Sequence, residues 1–227
     1  MPWYTRIVPA LRGSLTYARF FVEGKVPDDV HDKFMRTIRL RAMRPLEPDD
    51  EELERSGWVK IGEPFVNDLS HEDVFFNEYL NLGFRTDKWQ LPSSLLKVKL
   101  REAEAAYLEK KGRERLSRKE KTELKLIVAK KLRRQTEPAT RIVDLVWSLN
   151  EGVVRFFSHS EKPAAHMCEL FKTTFGLTLV PESPYTLAER VGLDKPQKAA
   201  WAELDMTYFG AEKRPADDYD AAAEEEE

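Results

Sequence analysis

The sequence predicts an α+β protein with largely antiparallel sheets and a central pair of long basic helices. Helical and strand patterns are mixed along the chain, short turns join neighbouring strands, and two long helical patterns follow each other in the middle. The predicted element order is β-α-β-β-β-α-α-β-β-α-β. Strands that are joined by short turns pair antiparallel, which favours this fold class over an alternating α/β fold.

The first part of the chain is predicted to place one helix between strands. Apolar and β-branched residues from Tyr4 to Val22 predict one or two strands. Pro27 and the two aspartates after it mark the start of a helix that keeps its apolar period to about Met43. The acidic stretch from Pro45 to Ser56 is predicted as a loop, and Trp58 to Gly62 as a short strand.

Two consecutive helices are predicted to follow strand residues over Val74–Leu82 that continue after Gly83 from Phe84 to Gln90. Gly112 interrupts the helical pattern, and the Ser117–Glu120 capping box starts the second helix. Pro138 lies past the end of that helix. The first helix has one apolar face at helical spacing, formed by Leu96, Leu100, Ala103 and Tyr107.

The last part of the chain begins with a predicted β-hairpin. Arg141–Leu149 and Val153–Phe157 are joined by Asn150-Glu151-Gly152, with glycine at the left-handed position of the turn. A helix from Pro163 to Gly176, a strand over Leu177–Val180 and a short helix over Thr186–Val191 follow. These patterns predict one α+β region over residues 1–195, divisible into lobes at about 1–92 and 93–195, and an acidic disordered tail over 196–227.

Composition excludes several classes of protein. Hydrophobic residues make up 41% of the 227 residues and aromatics 11%, which is enough for a core and excludes wholesale disorder. The apolar runs are far shorter than the ~20 residues that span a bilayer, and the N-terminal apolar stretch contains arginine. Cys168 is the one cysteine, which fits a reducing compartment. We therefore expect a cytoplasmic protein with no membrane association.

Charge is distributed very unevenly although the formal net charge is only −3. Residues 95–141 hold 16 Lys and Arg against 7 Glu, a net of +9. Residues 47–54 carry six acids and no base, and residues 211–227 carry eight acids against two bases. A basic middle with acidic flanks indicates a polyanion partner. A solvated charged helix explains the same pattern and stays open as the alternative.

The sequence shows none of the common catalytic motifs. It contains no phosphate-binding loop, dinucleotide fingerprint, zinc-protease helix or nucleophile elbow. His159, His166 and Cys168 are near in sequence but lack the paired spacing of a zinc site. We predict a non-enzymatic protein with no catalytic residue, metal or cofactor. A hydrolase that uses some of the many carboxylates is the weakest of the alternatives.

The basic middle segment supplies the candidate binding residues. Lysine and arginine neutralise phosphates without reading base sequence. Cations at Lys130–Arg134 lie in the last turns of a helix, where they also offset the helix dipole. The cations around the helix break have no such structural reason in the sequence. The predicted phosphate contacts are Lys110, Lys111, Arg113, Arg115, Arg118, Lys121 and Lys125.

The same segment resembles the RdgC family of bacterial recombination-associated proteins. The run from Trp89 to Leu132 has the family's strand, LP step, long helix, GR turn and second helix. Phe34 to Pro45, followed by Gly57-Trp58-Val59, is similar to its "AFRP…GWV" segment, and Phe175 to Pro181 to its "FG-L-x-(L/V)-VP" close. The resemblance covers roughly residues 4–193. The family's C-terminal third and its phenylalanine-bearing segment after the second long helix have no counterpart in this sequence.

The resemblance implies a non-catalytic protein that binds DNA with little sequence preference. RdgC proteins form ring-shaped homodimers with a positively charged hole and restrain RecA-driven strand exchange. It therefore implies a homodimer, antagonism of RecA in recombination or replication, and association with the nucleoid. The alternative on the same fold is a protein-interaction adaptor that has lost DNA binding and docks an acidic partner. A further expectation is that the acidic tail from Ala211 to Glu227 competes with DNA for the basic helices.

Overall fold

The computed structural model describes residues 16–27, 29–66 and 68–204 and shows an α+β fold. The chain divides into two compact units, Met1–Glu182 and Ser183–Glu227. The sequence predicts two lobes that divide at about residue 92 and a folded region that ends at residue 195. The division in the structure falls after Glu182. The first unit contains the sheet and five helices of the described residues, and the second contains two short helices.

The helices and strands of the described residues alternate irregularly along the chain. The strands are β1 (Ala18–Glu23), β2 (Glu54–Val59), β3 (Phe75–Phe76), β4 (Tyr79–Lys88), β5 (Ala139–Ser148), β6 (Val153–Phe156) and β7 (Thr178–Pro181). The helices are α1 (Val30–Leu40), α2 (His71–Val74), α3 (Ser93–Lys111), α4 (Arg118–Arg133), α5 (Glu161–Phe175), α6 (Pro184–Val191) and α7 (Lys195–Ala202).

The strands of the first unit form one antiparallel sheet in the order β2-β4-β5-β6-β1-β7, with β3 paired to β4. The longest ladder joins β4 and β5, from Tyr79 opposite Ser148 to Lys88 opposite Ala139. Helices α3 and α4 lie in the chain between these two neighbouring strands. The prediction of an antiparallel α+β fold is therefore confirmed.

One face of the sheet packs against α1 and α5. Leu80 and Leu82 in β4 lie opposite Trp147 and Leu145 in β5, and all four are fully buried. The ring of Phe34 in α1 stacks on Trp147 with centroids 5.5 Å apart. Phe171 from α5 approaches the same indole at 5.1 Å. Each such side chain stabilises the fold by roughly 1.5–3 kcal/mol through removal from water. The hydrophobic core therefore lies between the sheet and these two helices.

The strand predicted over Val74–Leu82 and continued after Gly83 to Gln90 is confirmed over Tyr79–Lys88 and wrong before it. Residues 71–74 form α2, and β3 and β4 form a hairpin in which Phe76 lies opposite Tyr79. Asn77 has φ 52, a left-handed conformation that asparagine tolerates better than most residues. This turn reverses the chain inside the alternating pattern. The predicted loop over Pro45–Ser56 is also too long, because β2 already begins at Glu54.

The two consecutive helices form where the sequence predicts them, but they are not central to the packing. Gly112 ends α3 in a left-handed conformation with φ 60. The Ser117 hydroxyl accepts from the Glu120 N–H, and the Glu120 carboxylate accepts from the Ser117 N–H, so the capping box is present. Helix α3 buries none of its residues, and α4 buries Val128, Leu132 and Arg133. The pair packs mainly against itself at the edge of the core.

The second unit is described from Ser183 to Leu204. Its two helices bring the rings of Tyr185 and Trp201 to 6.2 Å in an edge-to-face contact. Helix α7 occupies the start of the segment predicted as a disordered tail, and residues 205–227 lie outside the described residues. The predicted strand residues before 16 also lie outside them. None of the described helices is long and apolar enough to span a membrane.

Candidate nucleic-acid interface

Helices α3 and α4 form a basic helical hairpin, by which we mean residues 93–133. Tyr107 and Glu104 in α3 face α4, where the Tyr107 hydroxyl donates to the Glu120 carboxylate at 3.1 Å. The Lys121 ammonium lies 3.4 Å from the Glu104 carboxylate. These polar contacts join the two helices near their connection.

The tip of the hairpin carries four of the predicted contact residues. Lys110, Lys111, Arg113 and Arg115 are all exposed. Lys110 and Lys111 belong to the last turn of α3, where cations offset the helix dipole. The expectation that no structural reason applies to these two lysines is therefore wrong. The Arg113 guanidinium lies 3.4 Å from the Glu120 carboxylate and is 63% exposed.

Glu120 is the acidic centre of the tip. Hydrogen bonds from the Ser117 N–H and hydroxyl, and then from Tyr107, hold the pKa of the Glu120 carboxyl below its usual range, with a smaller effect from Arg113. The same carboxylate raises the pKa of the Tyr107 phenol. Glu120 is therefore ionised at neutral pH and partly neutralises Arg113. The Lys111 ammonium lies 5.9 Å from the centre of the Tyr107 ring.

An open groove of about 640 Å³ lies between the two helices. Its apolar floor includes Leu96 and Leu100. Four cations line it, and its lining within the described residues contains no Asp or Glu. These groove cations are Lys97, Arg118, Lys121 and Lys125.

The groove brings together three of the seven predicted contact residues and adds Lys97. Lys97 lies between Leu96 and Leu100 on the predicted helix, so helical spacing places it beside the apolar face. That spacing was the signal that could have identified it. Of the seven predicted residues, Arg113 and Lys121 each face a glutamate. The other five make no ion pair within the part of the chain that the structure describes.

The acidic segment, residues 47–54, contacts the last turns of α4 and Arg134, which follows that helix. Arg134 lies 2.9 and 3.1 Å from the two carboxylate oxygens of Asp49, and the Lys130 ammonium donates to the Asp49 carbonyl at 3.2 Å. The Arg133 guanidinium donates to the Asp50 carbonyl at 3.2 Å. Arg134 holds the pKa of the Asp49 carboxyl below its usual value. Of these three cations, Arg134 is the one paired with a carboxylate, whereas Lys130 and Arg133 bind carbonyl oxygens.

The histidine and cysteine residues considered for zinc form no such centre. His166 lies 3.7 Å from the Glu54 carboxylate, and Cys168 packs against the core. Burial raises the pKa of the Cys168 thiol. Within the described residues, no group of three or more His, Cys, Asp and Glu side chains could hold a metal ion.

Comparisons with known proteins add no relative. Neither a protein-family model nor a curated protein sequence matches the chain.

Proposed function

We propose that this protein binds DNA without sequence preference through the basic helical hairpin. The observation that carries the proposal is the groove lined by Lys97, Arg118, Lys121 and Lys125, whose described lining has no acidic residue. Lysine and arginine side chains that meet phosphates release condensed counterions, which supplies affinity regardless of sequence. Phosphate contacts of this kind also fix the position of a protein on the duplex.

The dimensions of the hairpin suit a linear polyanion. Helix α3 has 19 residues, which corresponds to about 28 Å of helix. The tip cations lie at one end of that length and extend the positive surface beyond the groove. Because DNA carries one negative charge per ~1.7 Å of its axis, a surface of this length faces many phosphates at once.

The resemblance to the RdgC family supports a role in homologous recombination or replication. In this role the protein occupies DNA as a homodimer, is associated with the nucleoid and restrains RecA-type strand exchange. No chemistry on the DNA is part of the proposal. The cations of the hairpin neutralise DNA phosphates, and a DNA strand that is occupied in this way is closed to a RecA-type recombinase.

The test is a fluorescence-anisotropy titration with two unrelated 40-base-pair duplexes and their single strands at several salt concentrations. We expect equal affinities for the two sequences and a linear fall of log K with log salt, with a slope of about −0.9 for each phosphate neutralised in duplex DNA. Absence of binding at low salt, or strong preference for one sequence, would overturn the proposal. The same titration also measures whether the protein binds duplex or single-stranded DNA more tightly.

One observation favours an adaptor as the second candidate. Leu126 and Ile127 in α4 are 57% and 61% exposed, which places apolar side chains beside the basic surface. An acidic protein partner would use such anchors, whereas phosphates would not. Replacement of Leu126 by serine should weaken binding to such a partner and leave DNA affinity unchanged. If DNA affinity fell as much as in a groove variant, this separation of the two functions would fail.

A further inference from the structure

Two histidines from different helices meet at the surface of the first unit. His31 lies in the first turn of α1, and His71 is the first residue of α2. The His31 Nδ1 and His71 Nε2 atoms are 3.0 Å apart. Both side chains are exposed, and the proposed DNA binding does not involve them.

A shared aromatic surface orients the two rings. The centroid of Phe75 lies 4.5 Å from that of His31 and 4.8 Å from that of His71. The His71 and Phe75 rings are stacked, with an angle of 24° between their planes. Phe75 is itself 7% exposed, so the surface that supports both imidazoles belongs to the core.

The backbones that carry the two histidines are fixed independently of their contact. Helix α1 is anchored by its buried residues Phe34 and Ile38. Helix α2 is capped by Ser70, whose N–H and hydroxyl donate to the Asp73 carboxylate. The Lys60 ammonium binds the same carboxylate at 2.8 Å. The elements that carry the two ring nitrogens are thus positioned by contacts other than the one between the histidines, as a preorganised site requires.

The distance between the nitrogens fits two ligands of one cation. Nitrogens bound at ~2.0–2.1 Å and separated by 3.0 Å subtend roughly 95° at the cation. This angle is that of adjacent ligands in square-planar or tetragonal geometry, which Cu²⁺ and Ni²⁺ adopt, and is narrower than the tetrahedral angle of zinc sites. Asp32 and Glu72, the exposed neighbours of the two histidines in sequence, add negative charge nearby.

We propose that His31 and His71 form a binding site for a divalent transition metal of the copper and nickel type. The two protein ligands are Nδ1 of His31 and Nε2 of His71, and water completes the coordination. Both facing nitrogens must be unprotonated to bind the cation, so each ring keeps its proton on its outer nitrogen. The bound metal joins α1 to α2 and replaces the hydrogen bond between the rings.

The experiment is a calorimetric titration of the tag-free full chain with CuCl₂, NiCl₂ and ZnCl₂ at neutral pH. We expect one copper ion per chain and affinities in the order copper, nickel, zinc. The variants His31→Gln and His71→Gln should each abolish this binding, whereas His159→Gln and His166→Gln should leave it unchanged. Circular dichroism checks that the variants keep the fold.

A second measurement is independent of the variants. Electron paramagnetic resonance of the copper-loaded protein should show a tetragonal signal with coupling to two imidazole nitrogens. Absence of stoichiometric binding, or binding that persists in both His31→Gln and His71→Gln, would overturn the inference. A signal without imidazole coupling would do so as well.

Discussion

The Arg134 guanidinium binds both carboxylate oxygens of Asp49 through one nitrogen, at 2.9 and 3.1 Å, across 85 positions of sequence separation. With Lys130 and Arg133 bonded to carbonyls of the same segment, the contact ties the end of α4 to the acidic segment. Negative charge within the chain thus competes for cations that DNA would otherwise use.

Removal of the Asp49 carboxylate should tighten DNA binding. The variant Asp49→Asn frees Arg134, and each additional phosphate contact should steepen the salt slope by about 0.9. Anisotropy titrations at several salt concentrations measure both quantities. The matched control is Glu51→Gln, which removes the same charge from an exposed residue of the same segment. Equal effects of the two variants would show that only net charge matters.

The hydrogen bond between Trp58 and Thr174 should contribute measurably to stability. The Trp58 indole N–H donates to the Thr174 hydroxyl at 2.9 Å, and both residues are buried. Thr174→Val leaves the indole N–H without its acceptor and should lower the free energy of unfolding by about 1–3 kcal/mol. Urea denaturation measures the change.

Two controls distinguish that hydrogen bond from side-chain volume and from substitution on α5 in general. Thr174→Ser keeps the hydroxyl, and Thr173→Val alters an exposed neighbour. We expect both to cost less than Thr174→Val. A Thr174→Val protein as stable as the parent would contradict the assigned role of the bond.

Asp73 should titrate at unusually low pH. Hydrogen bonds from Lys60 and then Ser70 lower the pKa of the Asp73 carboxyl from 3.8 to about 2. Because the folded-state pKa is depressed, its contribution to stability is full above pH 3.8 and is lost as pH falls from there through about 2. The NMR chemical shift of the Asp73 side-chain carboxyl carbon follows this titration directly.

Lys60→Met tests the cause of that shift. Loss of the ammonium should raise the pKa of Asp73 toward 3.8, while the Ser70 hydrogen bonds keep it somewhat below that value. An unchanged midpoint would mean that Lys60 does not bind Asp73 in solution.

Local signals predicted the parts of the fold that depend on a few neighbouring residues. Gly112 and the Ser117–Glu120 capping box define helix ends by short-range hydrogen bonds, and Gly152 defines a tight turn. The turn at Asn77 was missed because the alternating pattern continues on both sides of it. Helix α2 was missed because four residues are too few for a helical period to show.

The candidate site was predicted only in part for a similar reason. Charge counting located the basic segment, and helical spacing could have added Lys97 to it. Sequence cannot show that Asp49 reaches Arg134, or that His31 reaches His71, because both contacts depend on how distant segments fold together. The groove and the contacts of the acidic segment at the end of α4 therefore required the structure.

The claim that the hairpin groove binds DNA is tested most directly by two matched triple variants. The groove variant replaces Arg118, Lys121 and Lys125 with glutamine. The control variant replaces Lys33, Arg36 and Lys172, which are exposed on α1 and α5, with glutamine as well. Both lose three positive charges. The account predicts that the groove variant reduces the salt slope of duplex binding by about 2.7 and weakens binding strongly, whereas the control variant binds nearly as the parent does. Equal losses in the two variants would contradict it.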